Sequence, residues 1–441
     1  MAYPKLLSAC ISTTLGMSVL FSSPVSAQSW QTSTRQETGE REIEGSSQVG
    51  EFAQQSETQQ ASNTTREMKT FLDWCQNRDS LTPEAKYTVE VILERIRLQD
   101  CQQAHQKLLN QTSLDLSNQP LDLSISNQSI EDLNPLSSLT HLEELDLAYN
   151  EIRELTPLSS LVNLRTLYLE HGTIHNHRNI IKHGETPLDL TPLASLTNLE
   201  NLHLSGNVIT DLTPLASLKN LRVLILHHLG FSGYSPDIAA QYSRNIDLTP
   251  LSNLTDLQEL HINATPNLEN LSSLSLLINL KLLALNENGI KDISFLSSLT
   301  DLEELYLVGN EIENLSPLSN LINLQKIYIF HNQELEDITP LSHLINLQIL
   351  FLGNNQIKDV TPLSSLINLQ KLGLWENQIT DVSPLSSLQN LLVLDLRSNK
   401  IQDITFLSSL NNLQVLKLYG NRNLPMRCPL PRESICVWDF N

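Results

Sequence analysis

The sequence predicts an α/β solenoid: a horseshoe with a parallel β-sheet on its concave face, short helical turns on its convex face and an α-helical N-terminal cap. Three observations carry this. A unit of the form L-x-x-L-x-L-x-x-N-x-I-x-D-L-T-P-L-x-x-L recurs along the chain; its commonest step is 22 residues; and a helical pattern precedes the first copies. The first leucines of the units are Leu142, Leu164, Leu199, Leu221, Leu257, Leu280, Leu302, Leu324, Leu347, Leu369, Leu391 and Leu413. An irregular unit stands before them, with Leu123, Ile125, Gln128 and Ile130 in the corresponding places.

The spelling of one unit follows from elementary constraints. Alternation sends Leu145 and Leu147 inward and leaves Glu144, Asp146 and Ala148 outward, as a short strand requires. Asn150 ends the strand, where its amide can satisfy loop backbone that would otherwise be buried unpaired. Thr156 and Pro157 are expected to cap and start a helical turn on the opposite side. Stacked strands sit about 4.8 Å apart while helical turns need more room, so the stack bends with its strands inside.

The ends carry different signals. Lys5, an apolar run from Leu6 to Phe21 and the small-residue site Val25-Ser26-Ala27 predict a signal peptide over 1–27 and a chain that begins, after cleavage, at Gln28. Leu7-Ser8-Ala9-Cys10 offers a rival lipidation site, but it follows Lys5 too closely for a full apolar region. Residues 28–66 are rich in Gln, Ser, Thr and Glu and predict a disordered linker. Residues 67–112 predict a helical cap: Met68, Phe71, Leu72 and Cys75 recur at helix spacing, Thr82-Pro83 opens a second helix, and Cys101, Ala104, Leu108 and Leu109 mark a third. The repeats span 113–424, and 425–441 form a second cap.

Four cysteines remain after processing, an even count that in an exported chain implies disulfides. Pairing Cys75 with Cys101 and Cys428 with Cys436 is the choice that does not bridge the length of the solenoid, since the Cα atoms of a pair must come within about 7 Å. Zinc is the rival, but these spacings lack close ligand pairs. No later stretch holds the roughly 18 uninterrupted apolar residues of a membrane span. The expected setting is secreted, periplasmic or cell-surface.

Units such as Asn355-Gln356-Ile357-Lys358-Asp359-Val360-Thr361-Pro362-Leu363 resemble the bacterial internalin-type leucine-rich repeat family, over roughly residues 121–424. The resemblance implies an exported, surface-associated binding protein that uses its concave face. It does not extend to an immunoglobulin-like domain after the repeats or to a cell-wall sorting signal, so invasion of host cells is not part of what it implies.

A formal charge of -21 and a pI near 4.9 oppose binding to nucleic acid or bare anionic membrane. A protein partner is expected, with a glycan as the alternative. Nucleophile elbows, phosphate loops, H-E-x-x-H and calcium loops are all missing from the sequence, so neither catalysis nor a cofactor is expected. The recurring acids Asp292, Asp359, Asp381 and Asp403 repeat with the unit, which marks them as parts of the stack.

Two places remain for a ligand. The steps from Leu164 and Leu221 are long, adding loops at about His175–Pro187 and Ser232–Asn245 on one edge, where His175, His177, His183 and Tyr234 could make contacts. Tolerated loop drift is the rival there, and a metal on His171, His175, His177 and His183 is disfavoured because no cysteine joins them. The asparagine of the unit is replaced by Gly172, Leu229 and Thr265 around these insertions.

The second place is the outward face of the later strands. Earlier strands present Asn201, His203, Ser205, Glu259, His261 and Asn263, whereas later ones present Tyr306, Tyr328, Phe330, Phe351 and Trp375, in a chain only 5% aromatic. Contiguous exposed rings mark binding surfaces, although aromatics also suit strands and pack on their neighbours. The register predicts Tyr306, Tyr328, Phe351 and Trp375 exposed on adjacent strands.

Overall fold

The computed structural model describes residues 68–118, 129–170, 187–229, 245–265, 267–422, 424 and 427–438. Among the described residues three α-helices come first: α1 (Phe71–Gln76), α2 (Pro83–Arg95) and α3 (Cys101–Leu109). The strands follow as β1 (Ser113–Asp115), β2 (Glu144–Asp146), β3 (Thr166–Tyr168), β4 (Asn201–His203), β5 (Val223–Ile225), β6 (Ile246–Asp247), β7 (Glu259–His261), β8 (Leu268–Glu269) and β9 (Leu282–Ala284). They continue as β10 (Glu304–Tyr306), β11 (Lys326–Tyr328), β12 (Ile349–Phe351), β13 (Lys371–Gly373), β14 (Val393–Asp395), β15 (Val415–Lys417) and β16 (Cys436–Val437). Fourteen form one parallel sheet in chain order, while β6 and β8 pair separately.

A three-residue strand cannot stand alone, so each unit is stabilised by burying its leucines against the next. The register aligns these side chains in columns, for example Leu305, Ile327, Leu350, Leu372 and Leu394, all fully buried. The unit's asparagine knits the stack. Asn377 Nδ2 donates to Leu352 O of the previous unit and Leu374 O of its own, at 2.9 and 3.1 Å, while its Oδ1 accepts from the Ile357 N–H at 3.0 Å. Asn150, Asn310 and Asn399 repeat the pattern. Where the asparagine is missing, Leu229 is buried and its N–H donates to Thr265 Oγ1 at 3.2 Å. A second asparagine row, just before each unit's first leucine, staples the opposite end of the strands: Asn346, Asn368 and Asn390 donate to Ile322, Ile345 and Ile367 carbonyls.

Two expectations need correction. The helical turns are 3-10 and begin at Thr156 and its equivalents, but threonine is not the capping side chain. The acid two residues earlier takes that role, as in Asp359 Oδ1 accepting from the Thr361 N–H at 2.8 Å and Asp403 from Thr405 at 2.8 Å. Hydrogen bonds from Thr339 and Thr361, hydroxyl before amide, hold Asp337 and Asp359 below the usual carboxylate range. The first unit also starts earlier than expected, because Leu114 rather than Leu123 pairs with Leu145. A step of 22 residues selects Leu123, whereas the sheet takes the earlier Leu114-Asp115-Leu116 alternation that directly follows α3. Leu123, Ile125 and Gln128 lie outside the described residues. Ile130 does hold its place, its N–H bonded to Asn150 Oδ1 at 2.9 Å.

Both ends are closed by cystine. Cys75–Cys101 joins α1 to α3, and Phe71, Ile92, Leu93 and Leu108 extend the leucine core over the first unit. Thr70, Thr82 and Asp100 cap the three helices through their side chains. Cys428–Cys436 closes the other end, where β16 adds a final strand beside β15. Among the described residues no helix is long and apolar enough to cross a membrane.

Candidate functional site: the outer face of the sheet

Parallel in-register pairing turns outward positions into rows running along the stack. One row is Tyr306, Tyr328, Phe351 and Gly373, directly paired strand to strand. Two residues further on, a second row follows the same order through Phe330, Gly353, Trp375, Arg397 and Tyr419. The rings pack into one patch. Tyr306 and Tyr328 stack at 4.6 Å and 8°, Phe351 meets Tyr328 edge-on at 5.3 Å, and Trp375 lies 5.8 Å from Phe351 and 5.5 Å from Phe330.

The two glycines make this packing possible. A Cβ on Gly353 would stand 2.1 Å from Trp375 Cε2, and one on Gly373 would meet Phe351 Cδ1 and Trp375 Cζ3 at 2.4 Å each. The indole therefore lies down over bare backbone on two adjacent strands. This corrects the expectation of exposed rings: Tyr328 is buried at 8% and Tyr306, Phe330, Phe351 and Trp375 are half-buried. The rings shelter one another, since four adjacent strands bring them within contact distance.

Polar groups hold the rim. The Tyr306 hydroxyl donates to Glu304 Oε2 at 2.7 Å, and Lys326 Nζ sits 2.7 Å from Glu304 Oε1. Burial, followed by Glu304, pushes the Tyr328 hydroxyl up to about 12. Beyond Trp375, the Arg397 guanidinium lies 5.7 Å from the indole centroid and 5.1 Å from that of Tyr419, and its Nη1 donates to the Tyr419 hydroxyl. Arg397 Nε donates to both oxygens of the buried Asp395 at 2.7 and 2.9 Å.

The earlier strands present another chemistry. His203 Nδ1 is 3.0 Å from Glu170 Oε1, with the Tyr168 ring edge-on at 4.5 Å. His227 faces His261 at 5.6 Å, and its Nδ1 accepts from Asn263 Nδ2 at 2.9 Å. Burial, and then His261, His228 and His203, push the His227 imidazole down to about 3. Asp146 is pushed up to about 6, by burial and then by Asp115, Glu170 and Glu144, against a hydrogen bond from Ala148. Glu170 Oε2 and His261 Nε2 are buried without a hydrogen-bond partner. Among the described residues no group of three or more His, Cys, Asp or Glu could hold a metal ion.

A groove of about 1040 Å³ runs along the starts of the later strands, lined by amides such as Gln325, Gln348, Gln370, Asn346, Asn368 and Asn390. It is open and polar and lies away from the aromatic patch. His171, His175, His177, His183 and Tyr234 lie outside the described residues. Gly353, Gly373, Asp395, Arg397 and Tyr419 were not expected as site residues. The signal was present in the rows: glycine at an outward strand position beside a tryptophan, in two successive units, marks a close approach.

The leucine-rich repeat family (two-copy repeats) matches residues 140–182, 278–320, 302–343, 322–365, 345–387 and 367–409. Among solved structures, an internalin (InlF) of Listeria monocytogenes is 30% identical with a TM-score of 0.61, covering 74% of this chain and 93% of that one. A leucine-rich repeat protein of Leptospira interrogans, 24% identical with a TM-score of 0.59 over 73% of this chain and 76% of that one, shares the fold. No curated relative matches the sequence. The repeated unit, its asparagine ladder and the identity extending over nearly all of InlF show that the chain belongs to the bacterial internalin-type leucine-rich repeat family.

Proposed function

We propose that this is an exported recognition protein that binds a protein ligand on the outer face of its sheet, around Tyr306, Tyr328, Phe330, Phe351 and Trp375. The observation that carries the reading is five rings from four consecutive strands packed into one half-buried apolar patch. Such a patch has no further core of its own to join, and aromatic side chains at its centre are the usual anchors of binding energy. Export is supported by the signal-like first 27 residues and by the two disulfides.

A glycan on the same rings is the weaker reading. Sugars stack on open ring faces, whereas Tyr306 and Tyr328 turn their faces to each other at an angle of 8°. Cell-surface extracts should yield a protein that the full chain retains and Trp375→Ala releases, with affinity falling by about 2 kcal/mol or more. A glycan array read with the same pair is the counter-test. Tryptophan-dependent glycan binding without a retained protein would replace the protein reading.

A further inference from the structure

We propose that the protein segment taken by the aromatic face is acidic, with its carboxylates seated on Arg397. This deepens the reading of that face as a protein-binding surface and rests on it. The argument is one of charge complementarity along the sheet. In a protein of formal charge -21, the outer face is not uniformly acidic. Its first strands carry Asp115, Glu144, Asp146 and Glu170. Around Trp375 the balance reverses. Lys371, Arg397 and Lys417 stand there against Asp395 and the nearby Glu376, and Lys326 is matched by Glu304.

Arg397 is already prepared for a carboxylate. Its Nε is fixed by both oxygens of Asp395, which is itself 5% exposed, and its plane is held beside Trp375 and Tyr419. Among the described residues those bonds use Nε and one Nη1 hydrogen, so both Nη2 hydrogens are left for an incoming acceptor. The side chain keeps 22% of its surface exposed. A planar fork held in place loses little entropy on closing over a carboxylate, and charge-assisted bonds of this kind are the strong ones. The Lys371 side chain is exposed on β13 and makes no hydrogen bond or ion pair among the described residues, while Lys417 Nζ is ion-paired with Asp395 at 3.7 Å. A basic segment would meet Lys371 and Arg397 here, with Asp395 already engaged by Arg397 and Lys417. An uncharged one would leave Arg397 covered and its remaining donors unpaired, which is costly.

A random peptide library displayed on phage, panned on the immobilised full chain with Trp375→Ala as the counter-selection, tests this. Peptides retained by the native chain alone should be enriched in Asp and Glu next to aromatic or aliphatic residues. The best of them should lose about tenfold in affinity with Arg397→Gln and lose affinity as salt is raised. Because Arg397→Gln leaves Asp395 with a weaker partner, Lys371→Gln is the second variant. It should weaken the same peptide a few-fold without moving the melting temperature. Basic or uncharged peptides, or an affinity unchanged in both variants, would overturn the acidic partner while leaving the aromatic face as the binding surface. Failure of any peptide to distinguish the native chain from Trp375→Ala would remove that underlying reading and this proposal with it.

Discussion

The two halves of the sheet share one backbone and one column of buried leucines, yet their outer faces differ. From β2 to β7 the face carries carboxylates and imidazoles, including a buried pair of atoms, Glu170 Oε2 and His261 Nε2, with no hydrogen-bond partner. From β10 to β14 it carries rings that bury one another, ending at a fixed arginine. Since the core beneath is the same in both halves, folding does not account for the change. The solenoid separates the two tasks: inward residues hold the stack together, and outward residues are free to answer to a ligand.

The sharpest way to break the aromatic half is to fill the space under the indole. Gly353→Ala places a methyl group where Trp375 lies, so the ring must lift off the backbone. The expected loss of stability is about 1–3 kcal/mol, the range for overpacking, with a red shift in tryptophan emission that Trp375→Phe abolishes. An unshifted spectrum would show that the indole does not rest on that glycine.

The other half should respond to pH instead. The folded chain protonates His227 only near pH 3, whereas the unfolded chain does so near 6.5, so this stability is complete above 6.5 and drains as the pH falls towards 3. Asp146 acts in the opposite sense. Its folded value of about 6 exceeds the ordinary 3.8, so the buried charge costs stability at neutral pH and acidification through 6 towards 3.8 returns part of it. Hydrogen exchange corrected for intrinsic rates should show β5 losing protection between pH 7 and 6, more than β11 or β12 does, and His227→Asn should flatten that loss. Asp146→Asn should add about 1 kcal/mol at pH 7, once the shift is discounted for solvent exposure. Equal loss along the whole sheet would erase the contrast between the halves.

Much of this architecture was legible in the sequence because a repeat states the same rule many times. Leucine spacing gave the inward columns, and the asparagine after each strand announced a backbone bond that the structure supplies through Asn150 and Asn377. Features that depend on register between units were harder to see. Two leucine alternations competed for the first strand, and only pairing with Leu145 selects Leu114. The exposure of the rings was misjudged for the same reason. Each ring occupies an outward position, but its burial is set by residues one and two units away, Gly353 and Gly373 above all. The capping role of Asp359 was masked by Thr361, a residue type that also caps helices.

The central claim is that ligand is held on the outer face of the sheet at the aromatic patch. Photo-cross-linking tests it most directly, with p-benzoylphenylalanine placed in turn at Lys371 on β13, at Asn201 on β4 and at Ile367, which stands 54% exposed in the turn just before β13's unit begins. Exposed to cell-surface extracts, the probe at 371 should form a covalent protein adduct that Trp375→Ala removes, and the probe at 367 should form none. An adduct from 367 or 201 that survives Trp375→Ala, with none from 371, would contradict the account.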